Sequence, residues 1–302
     1  MKNSSKNAEP LLWIFLSVLS WSTVASACKW SLTYIHPFWM LFFSSLTASL
    51  VLFLLILLNP SCSIQTRLSL KWIGLGLLNP FLYYLLLFEA YRISPAQEAL
   101  VLNYTWAILL ALGSAVVYKQ KLSLLTLVGL ILSFIGVWIL TAKGLLSLPG
   151  LSLGNGFALV SAFVWAYYWI VNLKNDNNPL LALFVQFSTA SLAILIFAYL
   201  FGPTLNLNKQ GLFGSIYLGF FEMSLPFFWW LLALRKSKQT SQIVHWIYLS
   251  PVLSMIWIAI ILKETVLPAS WIGLGFVIGG MILSKVPKEK MPENPEVLDN
   301  SF

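Results

Sequence analysis

An acid, a proline and two tryptophans recur at helical spacing in one apolar stretch: Glu222, then Pro226, Trp229 and Trp230 at i+4, i+7 and i+8. On a helix these positions share a face. A carboxylate on such a face is suited to hold an amine or to carry a proton, and the rings beside it to hold an apolar group. An ionisable group at membrane depth costs about 2.5–3.5 kcal/mol even on a lenient scale, which makes Glu222 the first place to look for chemistry. The competing reading is a structural Glu222, protonated or hydrogen-bonded to a nearby Tyr or Ser.

Two further pairs have the spacing of helix neighbours, Asn103 with Trp106 and His245 with Tyr248. Together with Trp21 and Trp165 they are expected to form an aromatic, weakly polar cavity for an apolar ligand with one amphipathic end. Fourteen Trp and twenty-one Phe, however, make aromatic neighbours common in this chain. His245 is of the residue type that can carry a proton near neutral pH, or it is a hydrogen-bonded interfacial histidine. Glu89 and Glu98 flank Arg92 and read as a charge cluster at a helix end.

Pro80, Pro226 and Pro251 fall inside apolar runs, where a missing amide kinks a helix and frees a carbonyl, for gating or as a packing bend. Gly129, Gly136, Gly273, Gly275, Gly279 and Gly280 read as surfaces of close helix contact. Cys28 and Cys62 lack metal-ligand spacing. No phosphate-binding glycine loop, paired His ligands or nucleophile elbow occurs, so neither a metal nor a cofactor is expected.

The elements that must position these residues follow from composition. The 302 residues are 59% hydrophobic and 9% charged, against about 45–50% and about 25% in soluble domains. So few charges cannot coat a water-facing surface, which excludes an ordinary soluble enzyme and implies a polytopic protein of the lipid bilayer. At about 20 residues per crossing there is room for roughly ten helices. The apolar runs lie near 11–30, 38–58, 71–91, 97–117, 122–142, 153–173, 180–201, 212–234, 242–262 and 269–285. Residues 1–10 and the tail 287–302 read as water-exposed. The net charge of +8 is spread over the joints between the runs, so it records membrane orientation and not nucleic-acid binding.

Thirteen Lys and Arg, including Lys71, Lys119, Arg235 and Lys285, fall on the side of the N-terminus, and five, Lys29, Arg92, Lys143, Lys209 and Lys263, on the other. That bias puts both termini in the cytoplasm, as an even number of crossings requires. A shift of 144 residues lays Ser17 on Ser161, Trp21 on Trp165, Ser44 on Ser188, Tyr104 on Tyr248, Gly129 on Gly273 and Gly136 on Gly280. The chain thus divides into repeats over 11–148 and 153–286. Five crossings per repeat is an odd number, so the second enters the membrane from the opposite face. Inverted repeats with a site near the midplane are a common transporter construction.

The run from Ala90-Tyr91-Arg92-Ile93-Ser94-Pro95 through Leu102-Asn103-Tyr104-Thr105-Trp106-Ala107 to Gly129 and Gly136 has a counterpart from Tyr248-Leu249-Ser250-Pro251 through Lys263-Glu264 to Gly273 and Gly280. With these signatures the sequence resembles the drug/metabolite transporter superfamily, in its ten-helix EamA-type branch. Asn103-Tyr104-Thr105-Trp106 is similar to the Asn-Tyr-Leu-Trp-Pro run of bacterial aromatic amino-acid exporters, although Ala107 replaces the family proline and Gln120 the usual acid. The resemblance implies a secondary transporter of the cytoplasmic membrane with a small-molecule substrate, an aromatic or other apolar amino acid first. Other metabolites or drugs, and an intramembrane enzyme acting on lipid-linked substrates, are the rivals. Oligomeric state is left open. The charge bias is checked by cysteine labelling in intact cells: an impermeant reagent should reach a cysteine introduced at Ser147 and not one at Asn300, and the opposite pattern would reverse the orientation.

Overall fold

In an apolar phase each backbone amide and carbonyl must find its partner within the protein, and runs this apolar therefore fold as helices. The computed structural model describes residues 5–59, 69–94, 99, 102–120, 122–141, 152–173, 178–237, 240–262 and 268–284, and among them there is no strand. The elements are α1 (Ser5–Leu32), α2 (Pro37–Leu58), α3 (Leu70–Gly76), α4 (Tyr83–Ile93), α5 (Trp106–Val117), α6 (Leu124–Thr141), α7 (Leu153–Leu173), α8 (Pro179–Phe201), α9 (Lys209–Leu218), α10 (Leu225–Lys236), α11 (Ser241–Val244), α12 (Leu249–Leu262) and α13 (Pro268–Leu283). Among the described residues six stretches are long and apolar enough to cross a membrane: Pro10–Leu32, Pro37–Leu58, Leu70–Ala90, Leu153–Leu173, Pro179–Phe201 and Lys209–Lys236. Starts are fixed locally: Asn178 caps the amides of Leu180 and Leu181 ahead of Pro179, and Asn208 caps Gln210.

Three of the apolar runs are broken at or just before a proline. Between α3 and α4 lies a π turn, Leu77–Leu82, containing Pro80, with Asn79 in an extended conformation (φ −150°, ψ 127°). Between α9 and α10 lies a second, Gly219–Ser224, followed by Pro226 in the first turn of α10. In the ninth run a 3₁₀ turn, His245–Tyr248, separates α11 from α12, and Pro251 follows in the first turn of α12. The expectation of kinks at these prolines becomes more specific: the irregular turn takes up the backbone that the proline cannot bond.

The halves of the chain interlock through equivalent helices. α6 packs most extensively on α13 and α2 on α8, while α4 and α5 rest on α7 as α10 and α12 rest on α1. Along α6 and α13, Gly129 abuts the Gly280 carbonyl and Ser284, and a Cβ on Gly136 would come within 2.6 Å of the Gly273 carbonyl oxygen. Low numbers meet high, so these two helices run antiparallel. Ser133 donates to the Val277 carbonyl across the same seam at 3.3 Å. Along α2 and α8 the order is again reversed: Ser49 pairs with Ser188 at 2.6 Å and Phe53 stacks near Phe184 at 5.5 Å.

One expectation is corrected here. Gly275 and Gly279 have open space beside them and take no part in the seam, because they lie on the face of α13 turned away from α6. Replacing Gly136 by Leu should therefore lower thermal stability in detergent by about 2 kcal/mol or more through overpacking. Ala at Gly275 or Gly279 should stay within about 1 kcal/mol of wild type or gain from helix propensity. Equal losses at all three positions would contradict the seam.

Candidate functional site

Pro226 has no amide to offer the carbonyl one turn before it, that of Glu222. The indole of Trp21, from α1 in the other half, supplies the missing donor at 3.1 Å. Ser17, one turn earlier on α1, donates to the Pro226 carbonyl at 3.2 Å. The same break presents the Glu222 side chain to α4, where the Tyr84 hydroxyl donates to Oε1 at 2.5 Å. Main chain and side chain of one acid are thus both held by the first half of the molecule.

Around this acid the rings form a continuous cage. Trp165 stands at its centre, with Tyr83 at 4.2 Å between centroids, Phe227 at 5.3 Å, Trp169 at 5.7 Å, Trp106 at 6.0 Å and Trp21 at 6.5 Å. Trp230 closes the ring against Trp21 at 5.5 Å and Trp106 at 6.0 Å. Trp21 and Trp165 are partners under the 144-residue shift, so the cage sits where the two halves exchange equivalent residues. Asn103 joins its edge, accepting from the Tyr83 hydroxyl at 3.3 Å and donating to Ser161 at 2.9 Å. Among the described residues the buried indole nitrogens of Trp165 and Trp230 have no hydrogen-bond partner, nor has the Tyr248 hydroxyl.

Of the residues singled out in the sequence, Trp21, Asn103, Trp106, Trp165 and Glu222 come together here. Trp229 does not. Half-buried, it makes no ring pair among the described residues, whereas the wholly buried Trp230 packs on Trp21 and Trp106, the π turn at Gly219–Ser224 having added a residue to the helical spacing. Tyr248 lies 6.3 Å from its repeat partner Tyr104. His245 is buried in the 3₁₀ turn before Pro251, with its ring 5.6 Å from Trp246. Glu89 lines a separate crevice of about 460 Å³ with Phe38, Phe88, Phe157, Phe197 and Phe201. Glu98 and Cys62 lie outside the described residues, and the side chain of Arg92 is likewise not described. Sequence reasoning missed Tyr83 and Tyr84; their position one turn past the break at Pro80 was the available signal. Among the described residues no three His, Cys, Asp or Glu gather as a metal site.

A helical protein whose halves close over a half-buried acid and a ring cage is a polytopic membrane protein of transporter type. The chain belongs to the EamA-like transporter family, whose model matches it twice, over residues 9–142 and 152–285. It is similar to an uncharacterized transporter of Archaeoglobus fulgidus, 28% identical over 271 residues, covering 85% of this chain and 91% of that one. An uncharacterized transporter of Clostridium kluyveri is 25% identical over 214 residues, 68% of each chain. The uncharacterized transporter YyaM of Bacillus subtilis is 22% identical over 268 residues, covering 83% and 86%. One solved crystal structure superposes with a TM-score of 0.80 at 21% identity, over 91% of this chain and 97% of the other, which speaks to the fold alone.

The corrected register is open to measurement. Trp230→Ala should cost about 3–5 kcal/mol in detergent thermal unfolding, since it empties a fully buried position. Trp229→Ala should cost about 1 kcal/mol. The reverse order would restore the unbroken helical spacing.

Proposed function

We propose that this chain is a secondary transporter that works by alternating access between two inverted five-helix halves, ten crossings in all. It lies in the cytoplasmic membrane with both termini in the cytoplasm and exports aromatic or other apolar amino acids. One observation carries the reading: the Glu222 carboxylate of the second half is held by the Tyr84 hydroxyl of the first, inside a cage of rings contributed by both. The antiparallel pairing of α6 with α13 and of α2 with α8 supports the inverted arrangement, because those helices are equivalents under the repeat.

The roles follow from the contacts. Glu222 takes the ammonium of the substrate or the coupling proton, while Trp21, Trp106 and Trp165 hold its apolar side chain, with Asn103 and Tyr248 at the margins. An ammonium arriving at the carboxylate competes with Tyr84 for it. Tyr84 and Glu222 belong to opposite halves, so that competition loosens a tie between them and links occupancy to rocking. The turns beside Pro80, Pro226 and Pro251 are the bends about which helix segments reorient. His245 is a second candidate proton carrier.

The test is purified protein in liposomes, with labelled amino acids, with and without a pH gradient. Glu222→Gln keeps the volume and hydrogen-bonding capacity of the side chain. It should abolish concentrative transport or shift its pH dependence while the abundance of inserted protein stays near wild type. A Gln variant with lowered abundance and thermal stability, whose surviving molecules transport with an unchanged pH profile, would return Glu222 to a structural role.

A further inference from the structure

Next to the ring cage lies a polar cluster that the cage does not need. Tyr168 donates to Gln186 at 2.6 Å, Gln186 to Asn172 at 3.0 Å, and Asn172 back to the Tyr168 carbonyl at 3.1 Å, all wholly buried. Asn79 joins them from the π turn, with the Tyr168 hydroxyl beside its amide. Yet neither its nitrogen nor its oxygen closes a hydrogen bond among the described residues, although the side chain is fully buried. An unmet buried amide costs about 1–3 kcal/mol for each polar group, which makes Asn79 a candidate contact for the polar group of a ligand.

The fold does not require this cluster. The 144-residue shift maps Tyr168, Asn172 and Gln186 onto Val24, Cys28 and Phe42, and Asn79 onto Met223. At that equivalent place the same architecture closes with side chains that all belong to the apolar core. Polarity has been placed on one side only. The unmet groups nearby favour an acceptor ligand: the Asn79 amide brings two N–H bonds against one oxygen, and the neighbouring Trp169 indole N–H is also unpartnered. Arg235 adds positive charge at the edge, its Nη2 donating to the Asn172 carbonyl at 3.4 Å.

We propose that Asn79, backed by Tyr168, Asn172 and Gln186, receives the carboxylate of a zwitterionic substrate whose ammonium group lies at Glu222. This rests on the transport reading above and adds the substrate's second charged group to it. Asn79 and Tyr84 stand on either side of the Pro80 break, and both polar groups adjoin Trp165: Tyr168, beside Asn79, has its ring 6.4 Å from that indole, and Tyr84, the hydroxyl partner of Glu222, has its ring 6.3 Å from it. An α-amino acid held at both ends would leave its side chain among these rings.

Three solutes with one ring and one chain length test it in proteoliposome counterflow: phenylalanine, phenethylamine without the carboxylate, and 3-phenylpropionate without the ammonium. Wild type should prefer phenylalanine over each of the others by about tenfold or more. Asn79→Leu should erase the preference over phenethylamine by losing phenylalanine transport, with phenethylamine flux per inserted molecule within about twofold of wild type. Asn79→Asp, which keeps the shape and repels a carboxylate, should do the same if the Leu variant folds poorly. Proportional loss of phenylalanine and phenethylamine in both variants, or a wild type indifferent to the carboxylate, overturns the proposal. Robust flux of another solute class with none of these three moved overturns it and leaves transport standing, whereas no flux of any solute across a broad panel overturns the transport reading as well.

Discussion

A carbonyl released by a helix break in an apolar phase has no water to turn to, and the organisation of this protein follows from where such carbonyls are bonded again. Pro226 frees the carbonyl of Glu222, and the donor that satisfies it is an indole from the opposite half. The break is therefore also a joint. Because the acid whose backbone is repaired is itself held by Tyr84, the same few residues supply the electrostatics of the site and the adhesion between halves. Aromatic rings fill the space around that joint, since an indole long enough to reach across brings its apolar bulk with it.

Much of this could be read from the residues alone, and the reasons for the failures are specific. The apolar runs, their proline breaks and the 144-residue repeat depend on composition and periodicity, which tertiary packing does not alter. Glu222 stood out because acids are rare in apolar runs, and Trp21 and Trp165 because the repeat pairs them. Trp229 was misplaced because helical spacing assumes an unbroken helix, and the π turn at Gly219–Ser224 adds a residue that no local pattern announced. Gly275 and Gly279 were misread because spacing says which glycines share a face and not which way that face points. Tyr83 and Tyr84 went unnoticed in a chain where aromatic residues are common, and only their contact with Trp165 and Glu222 sets them apart.

The repeat also governs what lies at the centre of the molecule. Three residues meet the residue 144 positions further on: Trp21 meets Trp165, Tyr104 meets Tyr248, and Ser133 donates to Val277. A substitution at such a place changes one side of a pair whose other side stays as it was. The counterpart of Glu222 at that spacing is Leu78, so the acid belongs to one half only.

The glycine seam between α6 and α13 has a mechanical meaning. Main chain comes against main chain at Gly129, Gly136, Gly273 and Gly280, with only the side chains of Ser133, Val277 and Ser284 between them, so few rotamers would have to reset if these helices turned against each other. Such a contact permits pivoting and resists translation. In the rocking of the halves proposed above, it would serve as the pivot.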